Sequence, residues 1–344
     1  MNRIYNLSLV PIPEELAEMI DFQDQFFGDT HELKEISLND VKLFTDTIII
    51  GVSIRPFKLE SIFSCVIKYF KDELFVKSFV KECFDRCPVL FHRLYQNGAI
   101  TIDTVINLQK IKWNHIISLY FSKSELFIKE FDVSRKQIMY TQFIDHPHLD
   151  SLIKYGFQEG SIGYAIKYDD LESLMCMTGS PEFSLNKNIE WTPFEWSLEP
   201  KEFTPLAIAS HFGSVKCFRY LLSLNSVITK NVFKCSVYGG NLDIIHLCST
   251  INPEYDLKYP LRYCHESISN WFISQSNSTF EMSFISFYLR CVLYLVHYPQ
   301  SNDQAEIVMN SSFHFAIRYG YISLVKYFLR LGANIEVQYH GEFY

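Results

Sequence analysis

At 344 residues the chain exceeds the usual size of a single-core domain, so two domains or an elongated repeat array is expected. Hydrophobic residues at 48% and aromatic residues at 16%, with 30 Phe and 21 Tyr, exclude a disordered chain. A net charge of −8, with both signs scattered and no like-signed block, offers no general attraction to phosphate backbones, so nucleic acid is excluded as the expected partner.

The N-terminus, Met1-Asn-Arg-Ile-Tyr-Asn-Leu-Ser, has no long apolar run and no small-residue cleavage site, which predicts a cytoplasmic protein. The sequons beginning at Asn6, Asn277 and Asn310 are then chance matches. The β-branched run Thr47–Ser53 predicts a short β segment. Helical periodicity follows: Ile62, Val66, Tyr69 and Phe70 share one face, and Val76, Val80, Cys83, Phe84 and Cys87 another, up to Pro88. Asn97-Gly98 is a turn signal, and Thr101 is placed to cap the next helix. Val105–Ile111, Ile116–Phe121 and Leu126–Phe131 read as further short helices. Residues 1–150 are therefore expected to form a helical domain of unassigned type, itself open to a reading as unrecognisable repeats. His146-Pro-His148, with Asp150 after it, reads as a linker, because Pro147 disfavours helix in the residue before it.

Nine cysteines at irregular intervals form no disulfide framework and are expected to be reduced core residues. Cys83 and Cys87 lie one helical turn apart, but no second ligand pair follows, so no metal is expected. The neighbours Cys264-His265-Glu266 point in different directions on a helix and make no nucleophile–base pair. With no phosphate-binding glycine loop and no nucleophile elbow, the chain is expected to be non-enzymatic and to need no cofactor.

The main signal is internal repetition. Thr204–Leu222, Phe233–Cys248 and Phe313–Leu329 align on Gly213, Gly240 and Gly320. Four positions before each glycine stands a small residue, Ala209, Ser236 or Ala316. Two positions after it stands an aliphatic one, Val215, Leu242 or Ile322. The pattern predicts a helical hairpin: one helix ends on a left-handed glycine and a second, amphipathic helix starts at once. Thr204-Pro205 supplies a cap and a preset first turn. One hairpin cannot bury its apolar face alone, so copies must stack. Weaker copies are expected at Ile162–Met177, with Ala165 as the small residue, and around Leu261–Ile273 and Phe284–Leu295. The chain stops soon after the last copy, at Glu342-Phe-Tyr344, with no polar capping repeat in view, which suggests a truncated end.

Thr204-Pro205-Leu206 with Ala209 and Gly213 resembles the opening of an ankyrin repeat, and Leu329-Arg-Leu-Gly332-Ala333-Asn334-Ile335 resembles its closing segment. The stretch from Trp191 through Cys248 is similar to divergent ankyrin families expanded in parasitic protists. Ala207 departs from the pattern, which usually has a histidine there. The resemblance implies an all-α fold, an ankyrin-type helical-hairpin solenoid over residues 155–344, clearest at 203–225, 230–250 and 310–337, preceded by the helical domain. It also implies a protein-binding scaffold whose concave face carries Lys201, Phe203, His211, Phe212, Tyr238, Arg318 and Tyr319. The alternatives are an adaptor whose N-terminal helices recruit a ligase or kinase complex, and peripheral membrane or cytoskeletal attachment through Met282–Tyr298. A membrane span there is not expected, since the run is short and carries Arg290 near its middle.

Overall fold

The computed structural model of the chain describes residues 12–27, 36–38, 40–131, 140–195, 197, 203–249, 260, 267–268, 271–272 and 302–335. Their regular elements are all helices, with no strand among the described residues. The expected copies around Leu261–Ile273 and Phe284–Leu295 fall wholly or mostly outside the described residues. So do Met282–Tyr298, Cys264-His265-Glu266, Lys201 and the C-terminal end. No helix of the described residues is long and apolar enough to cross a membrane.

The chain divides into two compact units, one from residues 1–51 and 254–344, the other from residues 52–253. These limits do not coincide with the sequence division at 150–155. In the first unit α1 (Glu14–Phe27) buries Leu16, Met19 and Phe22 at helical spacing. The second helix, α2 (Val41–Ile54), corrects the expected β segment, since Thr47–Ser53 lies inside it. Asp40 accepts from the Leu43 amide at 3.0 Å and fixes the helix start, and burial of Leu43, Phe44, Ile48 and Ile49 outweighs the strand preference of the isoleucines. The C-terminal hairpin, α16 (Asn302–Tyr319) and α17 (Ile322–Leu331), belongs to the same unit. Tyr321 donates its hydroxyl to Asp46 at 2.9 Å, and the Ser323 hydroxyl donates to Asp40 at 2.7 Å. The start of α2 and the start of α17 are thereby joined by one buried and one part-buried hydrogen bond.

The second unit starts with α3 (Leu59–Ile67), α4 (Glu73–Arg86), α5 (Pro88–Gln96), α6 (Ile102–Ile111), α7 (His115–Tyr120) and α8 (Glu125–Phe131). Thr101 caps α6 and Gly98 is left-handed, as the turn signal requires. Helix α5 packs on α3 and α7, and α6 packs on α8, an alternating order that continues beyond residue 150. After α9 (Leu149–Tyr155) come three hairpins: α10 (Ile162–Lys167) with α11 (Leu171–Thr178), α12 (Pro205–Phe212) with α13 (Val215–Ser223), and α14 (Lys230–Gly239) with α15 (Leu242–Cys248). The first helices stack in the order α10, α12, α14 and the second helices in the order α11, α13, α15.

Each hairpin turns on a residue of positive φ: Asp169 (+52), Gly213 (+68) and Gly240 (+73). The small residues Ala165, Ala209 and Ser236 four positions earlier are fully buried and let the first helices approach. The closest approach is at Gly239, where an added Cβ would sit 2.3 Å from the carbonyl oxygen of Ser210. Ser161, Thr204 and Thr229 cap the three first helices in the same way, each accepting from the amide three residues on.

Candidate functional site

The first helices of the three hairpins end in Lys167, with Tyr168 directly after it, in His211 and Phe212, and in Tyr238 and Gly239; in the other unit α16 ends in Arg318 and Tyr319. Within residues 52–253 the rings at these positions join with Phe57, Tyr155 and Tyr164 in one continuous ridge. Tyr164 lies 4.7 Å from Tyr168 and 5.3 Å from Tyr155. Phe57, in the 3-10 turn Pro56–Lys58, bridges Tyr168 at 6.0 Å and Phe212 at 5.9 Å. His211 continues the ridge, 5.1 Å from Phe212 and 6.3 Å from Tyr238. Phe57 is 54% exposed and Tyr168 44%, so the ridge presents ring surface to solvent.

Of the residues implied by the resemblance, His211, Phe212 and Tyr238 come together on this ridge. His211 and Phe212 are half-buried, and Tyr238 and Phe203 are buried. Phe203 is buried, and its carbonyl accepts from the Ile189 amide at 2.9 Å, tying the approach to α12 down. Arg318 and Tyr319 are exposed on α16 in the other unit. Phe57 and Tyr155 have no repeat signal and are joined to the ridge only by folding, whereas Tyr164 lies within the weaker copy expected at Ile162–Met177. Tyr168 was within reach of the sequence, since Ala165 and Leu171 keep the small and aliphatic spacing around Asp169, where the other copies have glycine.

Beneath the ridge lies a buried ion pair. Lys167 Nζ meets Glu195 Oε2 at 2.5 Å, with the side chains 4% and 0% exposed. Lys167 also donates to the Tyr155 carbonyl at 2.9 Å, and Glu195 accepts from the Ser197 hydroxyl at 2.6 Å. The Lys167 ammonium lies 5.3 Å from the centre of the Phe212 ring. Burial, with the Lys167 charge second, lowers the His211 pKa to about 4, so its imidazole is neutral at physiological pH. Burial likewise raises Tyr168 to about 12.

Glu195 belongs to a long insertion between α11 and α12, residues 179–204. Phe194 anchors it, fully buried, with its ring 5.3 Å from Tyr120 and 6.1 Å from Phe143. Thr192 donates its hydroxyl to the Gly156 carbonyl at 2.5 Å. The insertion, α10 and the segment around His146 enclose a cleft of about 740 Å³. His146 thus stands at a cleft rim and not in a linker between compact units.

Burial pushes the thiols of Cys87, Cys217, Cys235 and Cys248 up to about 12, which keeps them protonated and poor as nucleophiles. Among the described residues no group of three His, Cys, Asp or Glu side chains converges as metal ligands would. The sequence matches no protein-family model and no curated protein.

Proposed function

We propose that this chain is a non-enzymatic scaffold of ankyrin-repeat type that binds a protein partner along the aromatic ridge of its hairpin stack. The observation that carries this reading is the ridge itself: seven aromatic or imidazole rings from Tyr155 to Tyr238, supplied by three successive hairpins and two preceding segments. Rings of this kind give large contact area at low conformational entropy cost, and aromatic residues dominate binding energy at interfaces. A rigid stack supports them from below, so little ordering free energy is lost on association. The exposed Arg318 and Tyr319 on α16 extend the same positional logic to the other unit.

The double variant Phe57→Ala, Tyr168→Ala tests the reading, because both side chains are about half exposed and little core is lost with them. Partners that co-purify with the tagged full-length chain should fall at least about tenfold with the variant, as expected for two interfacial aromatic residues. An unchanged set of partners at unchanged recovery, from a variant with an unchanged melting temperature, would sink the reading.

A further inference from the structure

We infer that the cleft beside the insertion is a second binding site, one that takes an extended peptide segment with apolar side chains at alternate positions. It shares with the proposed function only the premise that the partner is a protein. None of the ridge rings lines this cleft.

The inference starts from the backbone of the insertion. Residues 188–192 form no helix, turn or bend. Ile189 spends its amide on the Phe203 carbonyl at 2.9 Å. Asn188 and Glu190 are exposed and both line the cleft, and no backbone partner is found for either amide among the described residues. Exposed amides without a partner, beside an apolar cleft, are groups to which an extended incoming segment can add backbone hydrogen bonds.

The floor of the cleft fits the side chains of such a segment. Phe143, Leu152 and Phe157 are 5%, 3% and 3% exposed, and Met177 and Pro205 complete an apolar lining. The volume of about 740 Å³ lies within the range of ligand-binding clefts. The rim carries charges of both signs, Glu182, Lys187 and Glu190, so backbone pairing and apolar burial would decide recognition here, not net charge. The unpaired edge is also held in place. Thr192 is bonded to Gly156, Phe194 is buried, and Glu195 is paired to Lys167, so the edge ends in a rigid anchor two to five residues from Glu190. A segment binding there would meet a preorganised surface.

The experiment is a selection of displayed random heptapeptides on the immobilised full-length chain. The enriched peptides are then synthesised and their affinities measured for the wild type and two variants. Glu190→Pro removes an amide that has no partner in the free chain, and Met177→Trp fills the cleft. We expect enriched peptides with apolar residues at alternate positions. Loss of one backbone hydrogen bond in Glu190→Pro should weaken them about fivefold, and Met177→Trp should weaken them more than about tenfold. Amide exchange at Asn188 and Glu190 should be fast in the free chain and slow on peptide binding, while Ile189 is protected in both states. Failure to enrich any peptide, or equal affinity for wild type and both variants, would overturn the inference. So would protection confined to other segments. Peptides weakened by Phe57→Ala, Tyr168→Ala but not by the cleft variants would end the cleft inference and leave the ridge standing. The reverse pattern is the one expected, and it leaves the ridge to the co-purification test.

Discussion

Asp169 stands where the neighbouring hairpins have glycine, and it does work that glycine cannot. Its φ of +52 is one that aspartate tolerates better than most side chains, and its carboxylate accepts from the Cys217 amide at 2.9 Å and the Lys216 amide at 3.3 Å. It therefore caps the first turn of α13 in the next hairpin. Asp169→Gly keeps the turn and loses this bond between hairpins, so it should destabilise the second unit by about 1 kcal/mol, measured as a lower urea midpoint at unchanged slope. The Lys167–Glu195 pair should behave differently. Lys167→Met leaves a fully buried carboxylate without its cation and should cost about 3–5 kcal/mol, whereas adding Glu195→Gln should restore much of the loss. A double-mutant cycle in urea separates the two effects, and a coupling near zero would mean the pair contributes nothing specific. Burial also holds His92 and His211 near pKa 4, against about 6.5 when unfolded. Between those values the unfolded chain binds more protons than the folded one. Stability should therefore be full above about pH 6.5 and fall as the pH drops toward 4, by a few kcal/mol for the two together. Replacing both with glutamine should flatten that acid limb in thermal melts at a series of pH values.

The hairpins show what local sequence conveys about an element and what it leaves open. Thr204, Pro205, Ala209 and Gly213 each meet a backbone requirement within one hairpin, and each sits where its chemistry demands. The same holds for Asn97-Gly98 with Thr101 at the join of α5 and α6. The run Thr47–Ser53 misleads for the complementary reason: strand preference is local, but burial against α1 and α17 is not visible within the run. The ridge was legible only in part. Its positions before the turn residue follow from the repeat, whereas Phe57 arrives from more than 100 residues away and Tyr155 from a helix with no repeat signature. The cleft was not legible at all, because its free edge depends on which amides the Phe203 carbonyl leaves unpaired. Close packing between elements gives a direct test. Gly239→Ala would put a methyl group 2.3 Å from the Ser210 carbonyl and should cost about 3 kcal/mol by forcing α14 from α12. Gly98→Ala meets no atom within 4 Å and should cost only about 1 kcal/mol, the strain of its positive φ. Equal losses in thermal melts would mean that α12 and α14 are less closely packed than their backbone distances require.

For the whole molecule, the consequence lies in where the chain can be cut. A division at residues 150–155 would separate the hairpin stack from the groups that complete its core. Phe194 would lose Tyr120 and Phe143, and Phe212 would lose Phe57, all within the unit of residues 52–253. An apolar ring of this size without its neighbours costs about 3–5 kcal/mol, a large share of the stability of an ordinary domain. Residues 40–253, which keep α2 whole, should therefore unfold in one cooperative urea transition, followed by far-UV circular dichroism. Residues 155–344 should melt broadly or aggregate. That fragment also leaves α17 without Asp40 and Asp46, whose carboxylates accept from Ser323 and Tyr321. A sharp, fully stable transition from residues 155–344 would show that the repeats are self-sufficient and that the preceding helices serve some purpose other than completing their core.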